Sequence, residues 1–189
     1  MLDREASVCK CYLIPGWCWP AELGAIYDLI AERQPMVHVE IGSFCGKSLF
    51  VTAAAMPPGS TLYSVEPFIY LESLKNHIPG EVWWRKLYQA TLESIRTHRP
   101  DIELIHLEKT SIEAAVDFKG RLDSVYLDGD HNFAEVSADI EAWSSHSKYL
   151  FGHDYSPAQP GVMDAVNESF GTVFDVIPRT RIWATKGRT

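Results

Sequence analysis

Short apolar blocks rich in β-branched residues alternate along this chain with longer amphipathic stretches. The clearest block is Val37-His38-Val39-Glu40-Ile41, with Pro35 ending the helix before it. Further strands are predicted at 61–66, 102–107, 122–127 and 148–152. Between them, Leu23, Ile26, Tyr27 and Ile30 recur at helical spacing, so 21–33 reads as a helix with Pro20 at its first turn. A helix over 47–56 is stopped by Pro57-Pro58-Gly59, and one over 81–98 carries Val82, Trp83, Leu87, Leu92 and Ile95. Phe133, Val136, Ile140 and Trp143 mark another, and Pro160-Gly161 precedes one running to Phe170. Two last strands, 172–177 and 180–185, are joined so tightly across Pro178-Arg179 that they must be antiparallel. Five strand–helix alternations closed by a hairpin predict an α/β fold with a mostly parallel sheet.

Composition narrows the class. A chain of 189 residues suits one domain, with an N-terminal segment and helix (1–34) ahead of a core at 35–189. No apolar run reaches the ~20 residues of a membrane span, and Met1-Leu2-Asp3-Arg4-Glu5 lacks the form of a secretory signal. Cys9, Cys11, Cys18 and Cys45 lack the second pair that a zinc site needs and read as free thiols. The expectation is a cytoplasmic protein. A net charge of −8 argues against a nucleic-acid partner and favours a small-molecule one. Aromatics in 12–19 leave a homo-oligomer contact open; there, either the following helix merely covers a sheet edge or Trp17 and Trp19 close over a ligand.

The first strand runs into Gly42-Ser43-Phe44-Cys45-Gly46-Lys47-Ser48, a glycine-bearing turn that opens a helix, which is how α/β proteins hold nucleotide-like cofactors. A P-loop would need a glycine where Ile41 stands, and the dinucleotide pattern would need glycines where Phe44 and Lys47 stand. What remains is an acid, Glu40, followed by Gly42-x-x-x-Gly46. Glu66 closes the second strand about twenty residues on, where a carboxylate can accept ribose hydroxyl protons. Ser111 reads as the N-cap of a short helix and as a group able to reach an adenine ring. The densest chemistry is Asp128-Gly129-Asp130-His131 at the fourth strand tip, with Asp130 read as a helix cap. Ionisable groups crowded at a strand tip are costly unless they serve a metal, a partner or catalysis. His153-Asp154 follows the fifth strand, close enough for Asp128 and Asp154 to share a divalent cation.

Ile14-Pro15-Gly16-Trp17, Val39-Glu40-Ile41-Gly42-Ser43, Tyr126-Leu127-Asp128-Gly129-Asp130-His131, Asp139-Ile140-Glu141-Ala142-Trp143 and Gly152-His153-Asp154-Tyr155 together resemble class I S-adenosylmethionine-dependent methyltransferases. The resemblance is to a small bacterial or phage-type family related to macrocin-type sugar O-methyltransferases and catechol O-methyltransferase. It implies a Rossmann-like three-layer sandwich whose seven-stranded sheet ends in an antiparallel hairpin. It also implies that Glu40, Gly42, Ser43 and Gly46 hold the methionine portion of S-adenosylmethionine, Glu66 the ribose and Ser111 the adenine, with Asp128 bordering the cofactor. Asp128, His153 and Asp154 match the metal ligands, and His131 matches the base that deprotonates a small-molecule hydroxyl. Where relatives carry an acid this chain has His153, so Mg²⁺ gives way to a softer ion such as Mn²⁺, or to none. Two alternatives stand beside this: a P-loop-like nucleotide hydrolase using Gly46-Lys47-Ser48, and a non-catalytic cofactor-binding protein.

Overall fold

The structure, a computed structural model, describes residues 1–70, 74, 76–147 and 149–186. Lys148, the expected first residue of the fifth strand, and parts of the 67–100 segment lie outside the described residues. Seven strands form one sheet: β1 (Val37–Ile41), β2 (Thr61–Val65), β3 (Glu103–Leu107), β4 (Ser124–Leu127), β5 (Leu150–Gly152), β6 (Phe174–Val176) and β7 (Trp183–Thr185). Their order is β3-β2-β1-β4-β5-β7-β6, and β7 runs antiparallel to both neighbours. This is the predicted seven-stranded, mostly parallel sheet with an antiparallel hairpin. β6 and β7 are shorter than expected because residues 177–182 are spent on the turn, where Thr180 Oγ1 donates to the Ile177 carbonyl.

The helices are α1 (Arg4–Cys11), α2 (Pro20–Arg33), α3 (Lys47–Ala55), α4 (Glu81–His98), α5 (Ser111–Asp117), α6 (Phe133–Ser144) and α7 (Pro160–Phe170). The first was not anticipated. Asp3 caps it by accepting from the Ala6 amide, and Arg4 ties it to Asp28 of α2, a long-range pair that residue periodicity cannot show. Two further expectations need correction. Thr110, not Ser111, caps α5, in a reciprocal arrangement with Glu113. Asp130 does not cap α6, which begins after Asn132; its carboxylate accepts from the Asn132 amide in a local turn.

Strand alternation sorts the core into two layers. Val39, Ile41, Val125 and Leu127 pack with Val136, Ile140, Trp143 and Val162 of α6 and α7. On the other face Leu62, Tyr126 and Phe151 pack with Leu23, Ile26, Leu49 and Tyr88 of α2, α3 and α4. The same alternation turns His38 and Glu40 into that second layer, where both are fully buried.

Register then lines up the strand tips. Ile41 stands opposite Val65 and Leu127, and Leu127 opposite Gly152. The ladder continues one residue past each strand: the amides of Gly42, Glu66, Asp128 and His153 donate to the carbonyls of Val65, Leu107, Ile41 and Leu127. Four candidate site residues from four strands therefore stand level along the carboxyl edge.

Candidate functional site

On the β1–β2 side, glycine is demanded by the chain itself. Gly42 has φ +78°, and a Cβ there would run into the backbone of Asp128 and Gly129. Gly46, at φ +85°, opens α3, and a Cβ would stand 2.6 Å from the Thr91 methyl. Both glycines thus let the β4 tip and α4 close on the loop. Ser43 Oγ lies 2.6 Å from Ser64 Oγ, which in turn meets the Tyr88 hydroxyl at 2.6 Å. Glu40 has no exposed surface; it accepts from Ser48 Oγ at 2.9 Å and more weakly from Thr52 at 3.4 Å. Burial with only neutral donors pushes its carboxyl up to about 8. Glu66 accepts from the amides of Phe44 (2.7 Å) and Phe68 (3.1 Å), and burial raises it to about 7. Ser111 accepts from the Trp143 indole at 2.9 Å, tying α5 to α6.

Residues 14–19 lie over this loop. Trp17 packs against Phe44, ring centroids 4.9 Å apart, and against His77. Trp84, from α4, donates its indole to the Phe44 carbonyl. Lys47 donates to the Gly16 carbonyl and Ser48 to Glu40, so the two residues on which a P-loop reading depends serve the chain's own contacts.

The β4–β5 side is ionic. His131, exposed at the turn into α6, places Nε2 2.9 Å from Asp154 Oδ2. The hydrogen bond to Asp154 raises the His131 ring above its ordinary value. Asp154 adopts φ 58°, which turns it back beneath His131 and Arg181, and Arg181 Nη1 stands 2.5 Å from its Oδ1. Burial opposes the charge on Asp154, but hydrogen bonds from His131 and His153 outweigh it and hold the carboxyl well below the usual range. His153 is buried, with Nε2 3.0 Å from Glu22 Oε2 and Nδ1 at 3.3 Å from Asp154 and 3.5 Å from Asp128. Glu22 also takes Arg181 Nε at 2.8 Å, and its bonds to His153, Arg181 and the Trp19 amide overcome burial to hold it down at about 2. The Tyr126 hydroxyl donates to Asp128 Oδ2 at 3.2 Å. A small cavity beside this cluster is lined by Asp128, Asp130, His131, Asp139, His153 and Trp183.

The structure thus brings Asp128, His131, His153 and Asp154 together. Among the described residues, Asp128, His131 and Asp154 each offer a donor atom within 4.8 Å of the others, as do Cys18, Asp128 and His153. The oxygens of Asp128 and Asp154 already face Tyr126, His131, His153 and Arg181. A divalent ion between the two acids would stand against the Arg181 guanidinium and the rings of His131 and His153, so this donor set fits a metal poorly. Glu22 and Arg181 escaped sequence reading. Glu22 sits in the first turn of α2, and Arg181 lies 159 positions away from it. No local pattern links them.

Comparison with known proteins agrees with this fold. A family model described as a methyltransferase domain matches residues 39–155. The chain is 35% identical over 65 residues to the mouse transmembrane O-methyltransferase homolog, a stretch covering 34% of this chain and 24% of that protein. It spans less than two thirds of the curated relatives it matches. Among the described residues no helix is long and apolar enough to cross a membrane. In fold, the chain is similar to an O-methyltransferase from Bacillus cereus solved with SAH (TM-score 0.63, 14% identity, covering 96% of this chain and 89% of that one). It is equally similar to the O-methyltransferase TomG from Streptomyces achromogenes solved with SAM (TM-score 0.63, 14% identity, 98% and 91%).

Proposed function

The chain belongs to this methyltransferase-domain family, and from that premise we propose that it is an S-adenosylmethionine-dependent O-methyltransferase acting on a hydroxyl of a small molecule, a sugar or a phenol-like compound. The reading is carried by the level row Gly42, Glu66, Asp128 and His153, with the His131–Asp154 pair beside it. The donor chemistry suits the cofactor. Each Glu66 oxygen accepts one amide and keeps a lone pair for a ribose hydroxyl. The loop Gly42-Ser43-Phe44 and Gly46 would border the methionine portion, with Glu40 acting through Ser48 from behind it. Ser111 would stand on the adenine side, and Asp128 between the cofactor and the acceptor.

When bound, S-adenosylmethionine supplies an electrophilic methyl group. The chain's own residues prepare the acceptor oxygen. His131 donates a hydrogen bond from Nε2–H to Asp154, which leaves Nδ1 as the free basic nitrogen. The acceptor hydroxyl passes its proton to Nδ1, and Asp154 stabilises the imidazolium that forms. The remaining contribution is alignment of the oxygen with the methyl carbon.

The test is thermal unfolding with S-adenosylhomocysteine or ATP, followed by turnover on hydroxylated acceptors. A ligand at a hundred times its Kd adds about 2.7 kcal/mol, an evident shift in Tm. A shift with S-adenosylhomocysteine is expected. A shift with ATP alone, or none, overturns the reading. Firm cofactor binding without turnover across a broad acceptor panel would favour a binding protein.

A further inference from the structure

We propose that His153, held as an imidazolium by Glu22, is the resident cation of the acidic site, and that methyl transfer by this chain needs no divalent metal; the inference rests on the methyltransferase reading above. The argument is geometric. His153 is 4% exposed, and both ring nitrogens face carboxylates: Nε2 stands 3.0 Å from Glu22, Nδ1 3.3 Å from Asp154 and 3.5 Å from Asp128. An ionised carboxylate only accepts, so each nitrogen must carry a proton to satisfy its partner. An imidazolium has no lone pair left for a metal. The trio of Cys18, Asp128 and His153 needs the same ring and fails for the same reason, while in the trio of Asp128, His131 and Asp154 an ion would stand against His153 and Arg181, which already hold Asp154.

Charge supports this. The acids Glu22, Asp128 and Asp154 are met by His153, Arg181 and, on the open side, His131. His153 and Arg181 therefore offset two of the three acids, and His131 offsets the third when it takes up a proton. Glu22 makes this possible by meeting His153 Nε2 and Arg181 Nε together, while Asp154 meets the same two residues at Nδ1 and Nη1. His153 and Glu22 are positioning residues: the ring bridges Asp128 and Asp154, and Asp154 in turn orients His131. Exchanging His153 for aspartate would alter the charge of the cluster by two units, the charge of one divalent ion. The exchange should convert the site into a metal site.

The test uses the full chain, titrated with and without S-adenosylhomocysteine and assayed for turnover with S-adenosylmethionine. Free Mn²⁺ is followed by electron paramagnetic resonance during titration of the parent and of His153→Asp, and parent turnover is measured with and without EDTA. The parent is expected to leave millimolar Mn²⁺ free and to turn over equally with the chelator, while H153D binds Mn²⁺ saturably. Saturable binding by the parent, with turnover abolished by EDTA, would overturn the proposal. Should H153D fail to fold, ¹⁵N spectra of the parent's histidines decide the matter. At about pH 8, above the ordinary histidine range, His153 should still show protons on both nitrogens, and a bare nitrogen there would overturn the proposal. Failure of S-adenosylhomocysteine to bind would defeat the methyltransferase reading separately, because the Mn²⁺ titration and the ¹⁵N spectra do not need it.

Discussion

Glu40 and Glu66, on one side of the carboxyl edge, are buried among hydroxyls and backbone amides, whereas Glu22 and Asp154, on the other, are buried among histidines and an arginine. Desolvation is the largest influence on all four, and it always disfavours the charge. Neutral donors do not offset it, so Glu40 rises to about 8 and Glu66 to about 7. Cationic partners do, so Glu22 falls to about 2 and Asp154 lower still. One half of the edge carries acids that hold protons close to neutrality. The other keeps fixed charges. In the proposed reading a ribose would be bound by hydrogen bonding alone, whereas deprotonating a hydroxyl would need a group whose charge can be stabilised, and the two halves differ along that line.

The sharpest way to break the contrast is at the reacting end of the ionic half. His131→Ala should lower kcat by about 10²–10⁴-fold, the range of a lost general base, with S-adenosylhomocysteine affinity unchanged by calorimetry; equal turnover in variant and parent removes His131 from the chemistry. Next comes Glu22→Ala, which removes one of the two acids that His153 and Arg181 share. Urea unfolding should show a loss of about 3–5 kcal/mol, as for other buried ion pairs cut on one side, and a loss below 1 kcal/mol would mean that the network is not stabilised as a unit.

The neutral half responds to pH. Both Glu40 and Glu66 bind protons more tightly in the folded chain than at the ordinary value of 4.5. Their contribution to stability is complete below that value and is lost as pH rises through about 7 and then about 8. Tm should fall by several degrees between mildly acidic and mildly alkaline buffer, and Glu40→Gln should flatten that slope. An unchanged slope in the variant would place the effect elsewhere. The smallest expected change is Ser48→Ala, which removes one hydroxyl donor from Glu40. It should cost about 1 kcal/mol, the net value of a neutral hydrogen bond. A cost matching that of Glu22→Ala would erase the distinction between the halves.

Most elements could be read locally. The helix at Glu81–His98 has its predicted bounds, and the strand at Val37–Ile41 follows from β-branched alternation. The site was legible where one strand tip carries several ionisable groups in succession, as at Asp128 to His131. The orientation of Glu40 was not, because a motif shows which residue stands at a strand end but not the layer into which the pleat turns it. Caps were misassigned at Ser111 and Asp130 because neighbouring Thr110 and Asn132 are equally suited to the position.

The alternation of apolar blocks and amphipathic stretches determined by itself that this chain is an α/β protein with a closing hairpin, since pattern and local propensity act over a few residues. It also placed acids and glycines at the strand tips. Only the tertiary structure decided that Glu22 from α2 and Arg181 from the hairpin turn meet His153 and Asp154 at the edge of the sheet. Whether a buried group keeps its charge depends on which partners the whole fold brings within hydrogen-bonding distance of it, and those partners are distant in sequence.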